Sequence, residues 1–192
     1  SGSNSAFSQV NWKIQAVHRS GHDRTSIKGL RSIFSTDKIV STAPNFSDNC
    51  CMTDQISKIG FANAQDAETL AQMSRDEIEN GLGWRWRTKA ILAMIENPEA
   101  SVLCVRIPSP TQENTIIAGF AIMEFDLESA HLNLLAVDPI FRRRGIARSL
   151  LSWLEKSART AGIFEITLEV RTMNTGAQKF YRQLGFSEHQ YL

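Results

Sequence analysis

The stretch Leu132–Leu151, LNLLAVDPIFRRRGIARSLL, runs from an apolar strand through a proline break, three arginines and a glycine into an apolar helix. A strand that turns at a glycine into a helix leaves that helix's first N–H groups without intrahelical acceptors. Those donors, the positive end of the helix dipole and the flanking arginines together favour a phosphate. Alone, a run such as FRRRG reads equally as a solvated basic patch or a phosphate contact to nucleic acid. Its place between strand and helix, with a glycine where backbone must approach a ligand, selects the small-molecule phosphate.

Outward from this stretch, periodicity predicts the flanking elements. Ile146, Leu150, Leu154, Ala158 and Ala161, with Leu151 beside them, recur at helical spacing until Gly162. Phe164–Arg171 alternates apolar and polar residues as a strand does. Asn174 then caps a helix carrying Ala177, Phe180, Tyr181 and Leu184, ended by Gly185, and a last strand runs from Phe186 to Leu192. Upstream, Ile56–Asn63 reads as a strand. Helices are expected from Asp66 to about Asn80 and from Thr88 to Glu96, and strands at Ala100–Ile107, Thr115–Asp126 and His131–Val137. Three consecutive strands with short connectors favour antiparallel pairing, and the strand–helix–strand that follows favours a right-handed parallel crossover. The expected fold is α/β, a mixed, mostly antiparallel sheet with helices on both faces. Residues 1–54 read as an extension with two weak elements, a strand at VNWKIQAV (Val10–Val17) and a helix at Ile27–Phe34. Residues 55–192 read as the main domain.

Composition narrows the class. The 192 residues are 42% hydrophobic and 21% charged, as in an ordinary folded domain, with a net charge of +1 that argues against nucleic acid as the main partner. Cys50, Cys51 and Cys104 form no C-x-x-C pair, and His18, His22, His131 and His189 have no metal-ligand spacing. A disulfide framework and a metal site are not expected, and the cysteine usage fits the cytoplasm. No apolar run approaches a membrane span, and SGSNSA at the start reads as an expression scar rather than a signal peptide.

The spacing Arg142-x-x-Gly145-x-Ala147 resembles the pyrophosphate-binding motif of the GCN5-related N-acetyltransferases (GNAT), with Ala147 where many members have glycine. LEVRTMNTGAQKFYRQLGF (Leu168–Phe186) resembles the distal half of the same family's acetyl-CoA site, most closely in the branch that acetylates ribosomal-protein N-termini. The resemblance spans about Gln55 to Leu192. It implies a GNAT fold and direct transfer of acetyl from acetyl-CoA to a primary amine, either a protein N-terminus or a small amine. It also implies that Arg142, Arg143, Arg144, Gly145, Ile146, Ala147 and Arg148 hold the pyrophosphate. Leu135, Ala136 and Val137 would receive the thioester carbonyl and pantetheine arm on backbone N–H groups, and Asn174 would contact the coenzyme.

Such chemistry needs a base, because amines are mostly protonated at neutral pH, and an acid for the departing thiolate. By resemblance Glu169 is the base and Tyr181 the acid, with Glu124 the alternative base. From the residues alone Tyr181 could be plain core and Glu169 a solvated strand carboxylate. A polar face on a central strand instead suggests a cleft, so Glu169 is expected away from bulk solvent. Trp84 and Trp86 read as an acceptor-site wall or a packed lid, and His131 as an edge-facing residue without a role. Family members carry a further strand after the one beginning at Phe186. Either the chain is truncated or the extension supplies it, VNWKIQAV being the candidate. Two other functions are carried forward: a toxin-type relative that acetylates aminoacyl-tRNA, and a non-catalytic acyl-CoA-binding module. A homodimer is the open expectation for assembly.

Overall fold

A computed structural model describes residues 9–15, 58–109 and 115–189. Its strands are β1 (Gln9–Gln15), β2 (Lys58–Phe61), β3 (Ala100–Pro108), β4 (Thr115–Phe125), β5 (Ala130–Val137), β6 (Glu165–Arg171) and β7 (Ser187–His189). Its helices are α1 (Ala67–Glu77), α2 (Thr88–Glu96), α3 (Ile146–Thr160) and α4 (Thr175–Gln183). The helix expected at Ile27–Phe34 lies outside the described residues.

The strands form one seven-stranded sheet in the order β2-β3-β4-β5-β6-β1-β7. β5 and β6 are parallel, and every other neighbouring pair is antiparallel. The mixed, mostly antiparallel architecture is as expected. The strand expected over Val10–Val17 is observed over Gln9–Gln15, inserted between β6 and β7. The first helix is shorter than its periodicity suggested. It ends at Glu77 because Glu79 turns inward, its carboxylate accepting from the N–H groups of Arg85 and Trp86.

Each face of the sheet has its own core. One cluster packs α3 and Tyr181 of α4 against Trp12, Met123, Leu132, Leu168 and Val170. Leu150, Leu151 and Leu154 of α3 are fully buried, each worth about 1.5–3 kcal/mol of transfer free energy. The other cluster packs α1 and α2 against β3, β4 and β5 through Leu70, Ile91, Val102, Phe120, Ile122 and Leu134. Cys104 lies within it, and burial pushes its thiol pKa up to about 12.

One irregularity shapes the middle of the sheet. On β5, Leu132 pairs with Met123 and Leu134 with Ile122, leaving Asn133 as an extra residue. The bulge reverses the faces. Ala130 and Leu132 join the α3 core, whereas Leu134 and Ala136 join the α1–α2 core.

Candidate active site

The site forms where the parallel pair parts. β5 and β6 are in register only over Ala130↔Ile166, His131↔Thr167 and Leu132↔Leu168. Beyond these residues β5 stays paired to β4 through Leu135, Ala136 and Val137, while β6 stays paired to β1. The facing edges of β5 and β6 therefore diverge into a gap, and backbone polar groups on those edges are left for a ligand.

At the mouth of this gap the arginine loop leads into α3. Asp138 accepts from the Ile140 N–H at 2.9 Å, closing the first turn after β5. Arg143 has φ 65° and Gly145 φ 80°. Left-handed residues interspersed with extended or helical ones turn successive N–H groups toward one point, a concavity suited to an anion. Ser149 N–H donates to Gly145 O at 3.0 Å, so the N–H groups of Ile146, Ala147 and Arg148 precede the first intrahelical bond, and among the described residues no side chain caps them. The first turn carries no acidic residue. Gly119 of β4 lets this end of α3 approach the sheet: a Cβ there would lie 2.9 Å from Ala136 O and 3.0 Å from Ile146 Cγ2.

The structure gathers the loop residues singled out in the sequence, with individual differences. Arg143, Arg144 and Arg148 are exposed, Arg144 lying over the Phe141 ring. Arg142 is engaged with the protein: it pairs with Glu77 and donates through Nε to Val137 O at 3.1 Å. Asn174 is exposed at the start of α4, where its Oδ1 accepts from Ala177 N–H at 3.0 Å and serves as the helix cap.

Glu169 and Tyr181 lie on opposite faces of β6. Tyr181 is 8% exposed in the α3 core, its ring edge-on to Phe180 and Phe186 at 5.2 and 5.5 Å between centroids. Burial pushes its phenol pKa above the ordinary value, so the group stays protonated. Glu169, one residue past the last β5–β6 pair, alternates to the other face. A single reacting group could meet both side chains only through the gap between β5 and β6.

Glu169 is exposed, contrary to the expectation that its face would be shielded. The α1–α2 core draws on β3, β4 and β5 but not β6, so among the described residues neither α1 nor α2 covers Glu169. Its strand neighbour is Asn11 of β1, which makes the N-terminal strand one side of its surroundings. Glu124 is half-buried and accepts from Asn133 Nδ2 at 2.6 Å. His131 is not at an edge as expected: β5 is central, and His131 Nδ1 lies 2.8 Å from Thr167 Oγ1 at the base of the gap.

Trp84 and Trp86 are half-buried and pack against the α1–α2 core. Trp84 is flanked by the Arg75 and Arg87 guanidiniums at 5.5 and 5.4 Å. Asn133 and Glu79 are not singled out from the sequence, and Arg171 is placed there beside Glu169 on the polar face of its strand without a role. For Arg171 the strict alternation of β6, which puts it on the Glu169 face, was the available signal. Among the described residues no helix is long and apolar enough to cross a membrane.

A mixed sheet whose central parallel strands splay, with a glycine-led helix N-terminus at the opening, defines the class of fold. The profile of the acetyltransferase (GNAT) family matches residues 68–186, more than half of the chain, and the chain belongs to that family. It is 44% identical over 72 residues to a ribosomal protein bS18-alanine N-acetyltransferase of Salmonella typhimurium, covering 38% of this chain and 49% of that one. The chain thus spans about half the length of the curated relatives it matches. The crystal structure of the ribosomal-protein-S18-alanine N-acetyltransferase of Escherichia coli aligns with a TM-score of 0.58 and 26% identity, over 70% of this chain and 80% of that one. The PaiA N-acetyltransferase of Thermoplasma acidophilum, solved in complex with coenzyme A, aligns with a TM-score of 0.61 and 22% identity, over 71% and 92%.

Proposed function

We propose that this chain is an acetyl-CoA-dependent N-acetyltransferase whose acceptor is the primary amine of a protein N-terminus, an alanine-type ribosomal-protein terminus first among the candidates. The observation that carries the reading is the β5–β6 gap with a helix N-terminus at its mouth, together with a carboxylate, Glu169, and a protonated phenol, Tyr181, on opposite faces of β6. The identity to ribosomal-protein alanine acetyltransferases supports the choice of acceptor.

In this reading the pyrophosphate rests on the N–H groups of residues 145–148 with Arg143, Arg144 and Arg148 around it. The thioester lies along Leu135, Ala136 and Val137, and the N–H groups of this stretch that face the gap rather than β4 stabilise the developing oxyanion. Glu169, directly or through water, takes the proton from the ammonium so that the neutral nitrogen attacks the thioester carbon. The carbon–sulfur bond breaks, and Tyr181 gives its proton to the departing thiolate. The second proton lost by the nitrogen as the amide forms restores the phenol through solvent, while Glu169 releases the first to bulk water. Asn174 keeps its cap and offers its amide N–H to the coenzyme. The catalytic unit is residues 55–192 completed by β1, and the compartment called for is the cytoplasm.

The test is release of free coenzyme A thiol from acetyl-CoA with Ala-initiated peptides, small amines and aminoacyl-tRNA as acceptors. The reading requires turnover fastest with peptides, and Glu169→Gln should lower it at least tenfold while Glu124→Gln leaves it within about threefold. Turnover with charged tRNA alone would replace the acceptor, and coenzyme binding without turnover on any amine would sink the enzyme reading.

A further inference from the structure

The segment that follows α1 is tied to the catalytic strand and to its own loop. Arg171, on the Glu169 face of β6, donates Nη1 to Asn80 O at 3.0 Å and Nη2 to Ile78 O. Both acceptors lie at the C-terminal end of α1, where carbonyls lack intrahelical donors and the dipole favours a cation. Glu79, between them, is 6% exposed, and its carboxylate accepts from Arg85 N–H at 2.7 Å, Trp86 N–H at 3.1 Å and Ser74 Oγ at 3.2 Å. The loop of residues 81–87 is therefore gripped at one end by a guanidinium on the strand bearing Glu169 and at the other by a buried carboxylate.

We infer that Arg171 is a positioning residue for the acceptor: by holding residues 78 and 80 to the Glu169 face of β6 it fixes where the 81–87 loop begins, so that the acceptor amine is presented to Glu169. The inference rests on the proposal that the Glu169 face receives the acceptor. Neither of Arg171's two side-chain bonds reaches the α3 N-terminus; Glu77, next to the Ile78 it holds, is tied separately to Arg142, and that pair survives the substitution of Arg171.

The test uses the full chain carrying Arg171→Met, Arg171→Lys or Glu79→Gln, with two readouts. The first is the rate of tryptic cleavage after Arg85 and Arg87, both exposed in the loop. The second is kcat and KM for an Ala-initiated peptide, beside the Kd for coenzyme A. Arg171→Met should speed loop cleavage at least tenfold and lower kcat/KM for the peptide roughly 10²-fold, the cost of a misplaced reactant, with the coenzyme Kd within about twofold. Arg171→Lys, reaching one carbonyl with one ammonium, should fall between, and Glu79→Gln should loosen the same loop from its other end. Unchanged loop cleavage overturns the inference. So does a loss of coenzyme affinity in step with activity, which would mark general destabilisation. If the unmodified chain turns over no amine, the acceptor proposal fails while the cleavage rates still decide whether Arg171 holds the loop.

Discussion

Replacing Gly119 with alanine tests the link between sheet packing and the donor site. The new methyl would lie 2.9 Å from Ala136 O, 3.0 Å from Ile146 Cγ2 and 3.2 Å from Val137 Cγ2. Ordinary contacts begin near 3.4 Å, so the neighbours must retreat by several tenths of an ångström. The carbonyl is held in the β4–β5 ladder, and the isoleucine opens α3. Overpacking of this kind costs about 1–3 kcal/mol, and reduced freedom of the unfolded chain returns about 0.4–1 kcal/mol. The net loss is about 0–2.6 kcal/mol and about 1.3 kcal/mol at the middle of both ranges, the latter roughly 3–5 °C in melting midpoint at about 2–4 °C per kcal/mol. Because relief falls on Ile146, the N–H groups of the phosphate cradle move with it, and coenzyme A should bind about three- to tenfold more weakly. Thermal melts with calorimetric titration of coenzyme A check both effects. A variant more stable than the parent, or a destabilised one with unchanged affinity, would refute the packing argument or its link to the cradle.

Tyr181→Phe should lower turnover about 10²–10⁴-fold with little change in coenzyme affinity, measured by thiol release and titration. It should also flatten the alkaline limb of stability. Burial raises the native phenol pKa, so above about pH 10 the unfolded chain loses this proton first and stability falls by up to about 1.4 kcal/mol per pH unit. That contribution is complete below pH 10, and urea melts of the two proteins should diverge only above it. Asn174→Ala should cost about 1 kcal/mol through the lost cap. Asn174→Asp should restore stability but not coenzyme affinity, and wild-type affinity in the aspartate variant would limit Asn174 to capping.

What the sequence made legible was local. The α3 stripe from Ile146 to Ala158, the alternation of β6 and the glycine at 145 each follow from a period or a backbone requirement, so they could be read in one dimension. The position of β1 could be nominated but followed from no local pattern, because its partner Val170 lies at the far end of the chain and strand pairing leaves no trace in either segment alone. Asn133 was hidden because LNLLAV shows no mark of an extra residue until it is set against Ile122 and Met123. The exposure of Glu169 depends on which strands α1 and α2 happen to cover. Arg171 and Glu79 act on backbone groups, and backbone partners have no sequence signature.

The insertion of β1 also sets an order of assembly. The hydrogen bond from Ser187 Oγ to Lys13 O joins residues 174 positions apart, and among the described residues β7 pairs with no strand but β1. Val10, Trp12 and Ile14 leave the ribosome before every other described strand, yet their partners on β6 follow on the order of ten seconds or more later at ordinary rates of synthesis. Until then a tryptophan-bearing strand and an open β6 edge are both without partners, and non-local pairing of this kind is slow. Expression level and chaperone demand should therefore respond to changes in this one early strand more steeply than its seven residues would suggest.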